Sequence, residues 1–327
     1  MSFRAAPKRL LATAFVVVAM FAATCLTAFP AAAQSSNAAN GLQISPALVQ
    51  LNGEKGKSYT VELKILNVTG SDLSFKSAVN DFASNSETGT PSILLDETVQ
   101  SPTSIQDWVS FIPSFDLKAR ETKTINAVIT IPTDASPGGH YGVIRFSGTS
   151  PSLNGTGVGL SASAGTLFLV RVAGEVKEKL QLSTFQASTN NTPGSLFEHG
   201  PITFVSRFEN SGNVHVQPNG TILVQDIFKN TISSHTINAE KGNILPNSTR
   251  RFESTLDKQW LLGRYTATIT VGYGTQGQAI VETISFWVIP YKLILIGLAM
   301  LITLVYVLRI VIKRYNKYII TQSRKKK

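Results

Sequence analysis

Cysteine is nearly absent. The 327 residues contain one, Cys25, inside an apolar stretch near the N-terminus, which excludes a disulfide framework and a cysteine-rich zinc site. Charge is also scarce, at 15% of residues, while Gly (24) and Pro (14) are well represented. That balance speaks against coiled coils and for turn-rich β structure. Acids are missing from both ends: residues 1–33 carry three cations and no acid, and residues 309–327 carry eight cations and no acid. The formal charge of +10 therefore belongs to the tails, because residues 34–308 hold 19 cations against 20 acids. A nucleic-acid-binding domain needs its basic footprint on the folded part, so DNA and RNA are excluded as partners.

Both ends instead address a membrane. Lys8 and Arg9 precede an apolar run from Leu10 to Leu26, followed by Phe29-Pro30-Ala31-Ala32-Ala33-Gln34. This is the layout of a secretory signal over residues 1–33, with cleavage between Ala33 and Gln34; an uncleaved anchor is the alternative. Cys25 follows Ala22-Ala23-Thr24, a poor lipoprotein box. After cleavage the exported chain has no cysteine and relies on core burial alone. Near the other end, Leu293 to Leu308 is sixteen residues without a charge, and Ile310-Val311-Ile312 follow Arg309. With Arg309 snorkelling, a span over 291–312 is about 20 residues, or about 30 Å of helix, enough to cross a bilayer core. Lys313, Arg314 and Lys317 crowd its far side. The positive-inside bias then predicts a single-pass cell-membrane protein, with its N-terminal ectodomain outside and a short basic tail, 313–327, in the cytoplasm. The tail is expected to be too short to fold.

Between the anchors the hydrophobic period is two. Tyr59, Val61, Leu63 and Ile65 alternate with Thr60, Glu62 and Lys64; Tyr265, Ala267, Ile269 and Val271 alternate with Thr266, Thr268 and Thr270. Such strands, separated by Asn-, Gly- and Pro-containing turns, predict a mainly β chain of two antiparallel β-sandwich domains in tandem. A degenerate repeat divides them. Leu63-Lys64-Ile65-Leu66-Asn67-Val68-Thr69-Gly70 parallels Ser206-Arg207-Phe208-Glu209-Asn210-Ser211-Gly212-Asn213, a strand ending at an Asn-led turn. Farther on, Gly139-His140-Tyr141 parallels Gly263-Arg264-Tyr265, a Gly turn feeding a Tyr as in the tyrosine corner of immunoglobulin-like sandwiches, where the hydroxyl bonds back to the corner. The expected organisation is a linker over 34–40, a first domain over 41–174 and a second over 175–290. Residues 85–106 read as a long surface excursion, and 148–165, with five Gly and four Ser, as a flexible connection.

Reactive chemistry is sparse. The four histidines are far apart in sequence without a second ligand at metal spacing, and surface or turn positions are expected for them. Gly155-Thr156-Gly157-Val158-Gly159 lacks the Lys-Ser/Thr ending of a phosphate loop. No nucleophile elbow occurs and no carboxylate pair stands out, so no catalytic residue, metal or cofactor is expected. Of the tryptophans, Trp108 lies in Asp107-Trp108-Val109-Ser110-Phe111, where alternation sets it opposite Val109 and Phe111. Sandwich core is the expected place for both Trp108 and Trp260, and the headgroup level for Trp287.

Residues 130–144, Thr-Ile-Pro-Thr-Asp-Ala-Ser-Pro-Gly-Gly-His-Tyr-Gly-Val-Ile, resemble the hallmark of the first domain of WxL-interacting proteins, cell-surface proteins of Gram-positive-type bacteria. Residues 165–174 resemble that domain's closing strand. Residues 208–220, Leu245-Pro246 and 286–290 resemble the second domain and its exit to the membrane. The resemblance implies a non-enzymatic adhesion or scaffold protein, with a first domain associated with peptidoglycan and a second that contacts surface or host proteins. Binding candidates are Trp108, His140, Tyr141, Asn210 and His215; Leu293, Leu308 and Arg309 mark the membrane anchor. The alternative is an exported chaperone-like or structural assembly module. A wall-modifying hydrolase is the enzymatic one.

Overall fold

The structure, a computed structural model, describes residues 41–84, 86–95, 101–149 and 161–325. The expected signal, its Ala33–Gln34 cleavage site and the glycine-rich residues 150–160 lie outside the described residues. The chain is mainly β, with several sheets and one C-terminal apolar helix.

Nine strands fill the N-terminal half: β1 (Leu42–Ser45), β2 (Leu48–Gly53), β3 (Ser58–Asn67), β4 (Leu73–Ser84), β5 (Pro91–Leu94), β6 (Phe115–Leu117), β7 (Thr122–Thr130), β8 (Gly138–Thr149) and β9 (Ser161–Val172). They form a three-stranded sheet, β1-β3-β7, and a six-stranded sheet, β2-β9-β8-β4-β5, with β6 also on β4. Ser58, Thr60, Glu62 and Lys64 of β3 face water, while Leu63 and Ile65 are fully buried. They share one core with Phe75, Phe146, Phe168 and Val170 from the larger sheet.

The C-terminal half repeats the plan with β10 (Leu180–Thr189), β11 (Thr192–Pro193), β12 (Leu196–Phe197), β13 (Ile202–Asn210), β14 (Asn219–Asp226), β15 (Thr231–Ile237), β16 (Ser248–Leu256), β17 (Gly263–Tyr273) and β18 (Gln278–Val288). Its sheets run β11-β10-β13-β16 and β12-β18-β17-β14-β15. Between them lies a second core, with Phe204 and Phe208 against Ile222, Ala267, Ile269 and Phe286. Ladders are antiparallel except β2 on β9 and β12 on β18.

Helix α1 (Tyr291–Lys325) ends the chain. Its segment Tyr291–Arg314 has a mean hydropathy of 2.6 and no part buried against the protein, so it is long and apolar enough to cross a membrane. The helix also runs on through the segment expected to be too short to fold. Extending a nucleated helix adds one hydrogen bond per residue fixed, so helix continues past the apolar stretch.

Two local expectations are corrected. Residues 106–108 form a 3-10 turn rather than a strand, so Trp108 and Val109 both reach the core and Phe111 is left at the surface. The segment 85–106 is no simple excursion: Pro91–Leu94 pairs with β4, and Ile105 is fully buried.

Candidate functional site

The two halves meet where β8 begins. Gly138 holds φ at +118°, and a Cβ there would come within 2.6 Å of the Asn213 carbonyl oxygen. Glycine lets the two backbones touch, and the Gly139 N–H donates to that same oxygen at 2.8 Å. The Tyr141 hydroxyl accepts the His215 backbone N–H at 2.8 Å and lies 3.4 Å from His215 Nδ1. Tyr141 also packs edge-on against Phe82, and Leu245 of the C-terminal half joins their cluster. Burial pushes the Tyr141 hydroxyl well above the usual tyrosine range. Burial first, and the Arg171 guanidinium second, lower His215 to about 4, so the imidazole is neutral at pH 7.

A second clamp uses Glu178. It accepts Arg171 Nη1 from β9 at 2.6 Å, and the Thr275 N–H and hydroxyl at 2.7 and 2.9 Å from the β17–β18 hairpin. Burial acts to raise the Glu178 carboxyl, but the Thr275 donors and Arg171 outweigh it and hold it below the usual range. A third clamp lies beyond β4, where Glu87 takes Arg207 Nε at 2.8 Å and its carbonyl accepts the Arg251 N–H at 2.7 Å. Backbone and side-chain bonds thus join the halves at three places.

Along this junction runs a cleft, and β2 forms one wall. Around Leu48 it is apolar, about 200 Å³, closed by Phe82, Leu169, Leu245 and Arg250. Around Gln50 and Asn52 it is polar, about 280 Å³, and is lined also by Arg171 of the adjacent β9, Glu178 and Thr275. The parallel register fixes which backbone groups of β2 are left without a partner strand. The carbonyls of Ala47 and Gly53 accept N–H groups of β9 and its extension. By alternation the N–H and C=O of Leu48, Gln50 and Asn52 point away from β9. No described strand pairs with that side.

The structure brings two of the five candidate residues together across this junction, in holding roles. Tyr141 and His215 bridge the halves. Next to Tyr141, His140 is buried rather than at the surface, its ring 4.4 Å from Trp108 and its Nε2 2.9 Å from the Ser136 carbonyl. Burial lowers its pKa. Asn210 is a turn organiser, its amide donating to the Val214 and Ile244 carbonyls and its oxygen accepting the Gly212 N–H. Asn67 repeats this in the N-terminal half, donating to Ser71, Leu117 and Lys118 carbonyls and accepting the Thr69 N–H. The two Gly-x-Tyr turns diverge. Tyr265 accepts the Leu262 N–H at 3.1 Å, a bond back to its own corner, whereas Tyr141 reaches across to the other half. Trp260 is not in the core: it is 81% exposed.

Sequence reasoning missed β2, Arg171, Glu178 and Thr275. Arg171 carried a signal, being the one charge inside the apolar run Leu167–Ala173. Among the described residues no group of three or more His, Cys, Asp or Glu is placed to hold a metal.

No family model and no curated protein matches the sequence. Solved structures with some likeness include the class 5 fimbriae chaperone CfaA (14% identity, 74% of this chain and 98% of that one, TM-score 0.39). The YadV chaperone (14%, 75% and 100%, 0.37) and the E. coli chaperone DraB (14%, 75% and 96%, 0.34) are others. Likeness at this level does not carry the role of those proteins to this chain.

Proposed function

We propose that the chain is a non-catalytic, membrane-tethered module that binds extended segments of other proteins at the outer face of a cytoplasmic membrane. The observation that carries this is the unpaired edge of β2, which lies beside the junction cleft that Leu48, Gln50 and Asn52 help to line. An incoming strand continues the sheet through the backbone groups of that edge, with apolar side chains received at the Leu48 end and polar ones at the Asn52 end. In this reading residues 1–33 are removed as a signal, 41–174 and 175–290 are two immunoglobulin-like domains, and the apolar part of α1 with Leu293, Leu308 and Arg309 is the anchor. The basic residues after it keep the C-terminus inside.

The role is closer to an assembly or chaperone-like module than to wall adhesion. Kinship with WxL-interacting proteins is part of the proposal, with surface proteins as the partners that suit the site; a glycan strand offers no polypeptide backbone to extend a ladder. Of the motif residues behind that resemblance, Tyr141, Asn210 and His215 serve the fold and the junction.

The test uses the full chain in lipid nanodiscs and a panel of alternating Val/Thr decapeptides. Gln50→Pro removes an outward N–H without touching the β9 ladder, and it is expected to weaken capture about tenfold or more, consistent with losing one backbone bond and crowding the next. Gln50→Ala is expected to bind as the parent does. Equal binding by all three contradicts strand addition at β2.

A further inference from the structure

The C-terminal half carries seven large apolar side chains that are exposed: Leu196, Ile227, Phe228, Trp260, Leu262, Val281 and Trp287. Six of them, all but Val281, gather at one end. The ladder registers place them there. Asp226 pairs with Tyr265, and Tyr265 with Phe286, so the turn holding Ile227 and Phe228 lies level with the start of β17 and the end of β18. Ile202 pairs with Leu256, which sets the loop of Trp260 and Leu262 at the same level. Leu196 pairs with Trp287. From this end α1 departs: the Ile289 N–H donates to the Phe197 carbonyl, and Lys292 Nζ pairs with Glu198 at 2.6 Å. Trp260, Pro290 and Leu293 line one small apolar hollow, so the exposed loops are continuous with the first turn of the span.

We propose that this end is a lipid-contact surface, in which the loops carrying Phe228, Trp260 and Leu262 sit at the headgroup level of the leaflet that α1 enters. The inference rests on the reading of α1 as a membrane span. Aromatic and leucine side chains on an otherwise polar surface suit the boundary between headgroups and acyl chains. Phe228 is 77% and Leu262 73% exposed, and no protein segment among the described residues covers them. The loops and first helical turn hold Lys229, Lys258, Arg264 and Lys292 against Glu198, Asp226 and Asp257. That near balance makes the attraction apolar, so it needs no anionic lipid. Such a footing adds a second point of support to the single helix and sets the tilt of the two halves on the membrane.

The experiment uses the full chain with Cys25→Ser in phosphatidylcholine nanodiscs, carrying one fluorophore at a time at Phe228→Cys, Leu262→Cys, Gln276→Cys or Leu301→Cys. Quenching is read with nitroxides on the lipid headgroup and on the acyl chain. Gln276 is exposed at the opposite end of β17, about 30 Å from Phe228 at roughly 3.4 Å per residue. The Phe228 and Leu262 labels are expected to be quenched by headgroup nitroxide on the order of threefold more than the Gln276 label, as for side chains at the interface. Leu301 is expected to respond to acyl-chain nitroxide. Phe228 and Leu262 no more quenched than Gln276, with Leu301 quenched, overturns the lipid surface and leaves the span standing. Leu301 unquenched overturns the span and the lipid surface together.

Discussion

His215 shows how one residue ties the junction to pH. Its folded pKa of about 4 lies below the ordinary 6.5 because burial, and then Arg171, disfavour the imidazolium. Between those values the unfolded chain binds a proton that the folded chain does not. Stability is thus fully present above pH 6.5 and declines as pH falls toward 4, by about 3 kcal/mol for this group alone. His140, also lowered by burial, acts in the same direction. Denaturant unfolding of the full chain in micelles is expected to show this slope, and His215→Gln to flatten it in part; a variant with an unchanged slope contradicts the assignment. Asn67 and Asn210 carry a different lesson. Each is fully buried, and each closes its turn with hydrogen bonds to groups two and four residues on, so the paired Asn-led turns were legible in the sequence. The partner of Tyr141 was not, because it lies 74 residues away and nothing local distinguishes Gly139-His140-Tyr141 from Gly263-Arg264-Tyr265.

Among the elements, β3 and β17 were readable because one face meets a core and the other water, and the period of two reports both. The edge status of β2 is a property of pairing. Val49 and Leu51 pack inward in the same alternation as any strand, and only the parallel ladder on β9 shows that the other side is open. Trp260 misled for a related reason: a tryptophan between strands defaults to core, and register alone sets it at the end where α1 departs. The start of β8 carries the prediction at this scale. Gly138→Ala puts a Cβ 2.6 Å from the Asn213 carbonyl at a φ of +118°, costing about 1–3 kcal/mol if the backbone stays put. The strand relieves this by parting from Asn213. Limited proteolysis of the connection 173–179 is expected to accelerate several-fold, in keeping with local opening of that size; an unchanged rate contradicts the role of this contact.

For the whole molecule, the junction decides what the protein can do. Glu178, Tyr141 and Glu87 hold two β halves in one arrangement, which keeps the wall of the cleft opposite β2 in place without a ligand. A preformed cleft lowers the ordering cost of binding, and the apolar loops around α1 would hold it at a set tilt above the bilayer. The most direct measurement is amide hydrogen exchange, resolved to single residues, on the full chain in nanodiscs with and without a bound Val/Thr decapeptide. Slowed exchange at Leu48, Gln50 and Asn52, with the free edge of β15 unchanged, is the expected result. Saturating peptide that leaves those three amides exchanging at their original rates would contradict the account.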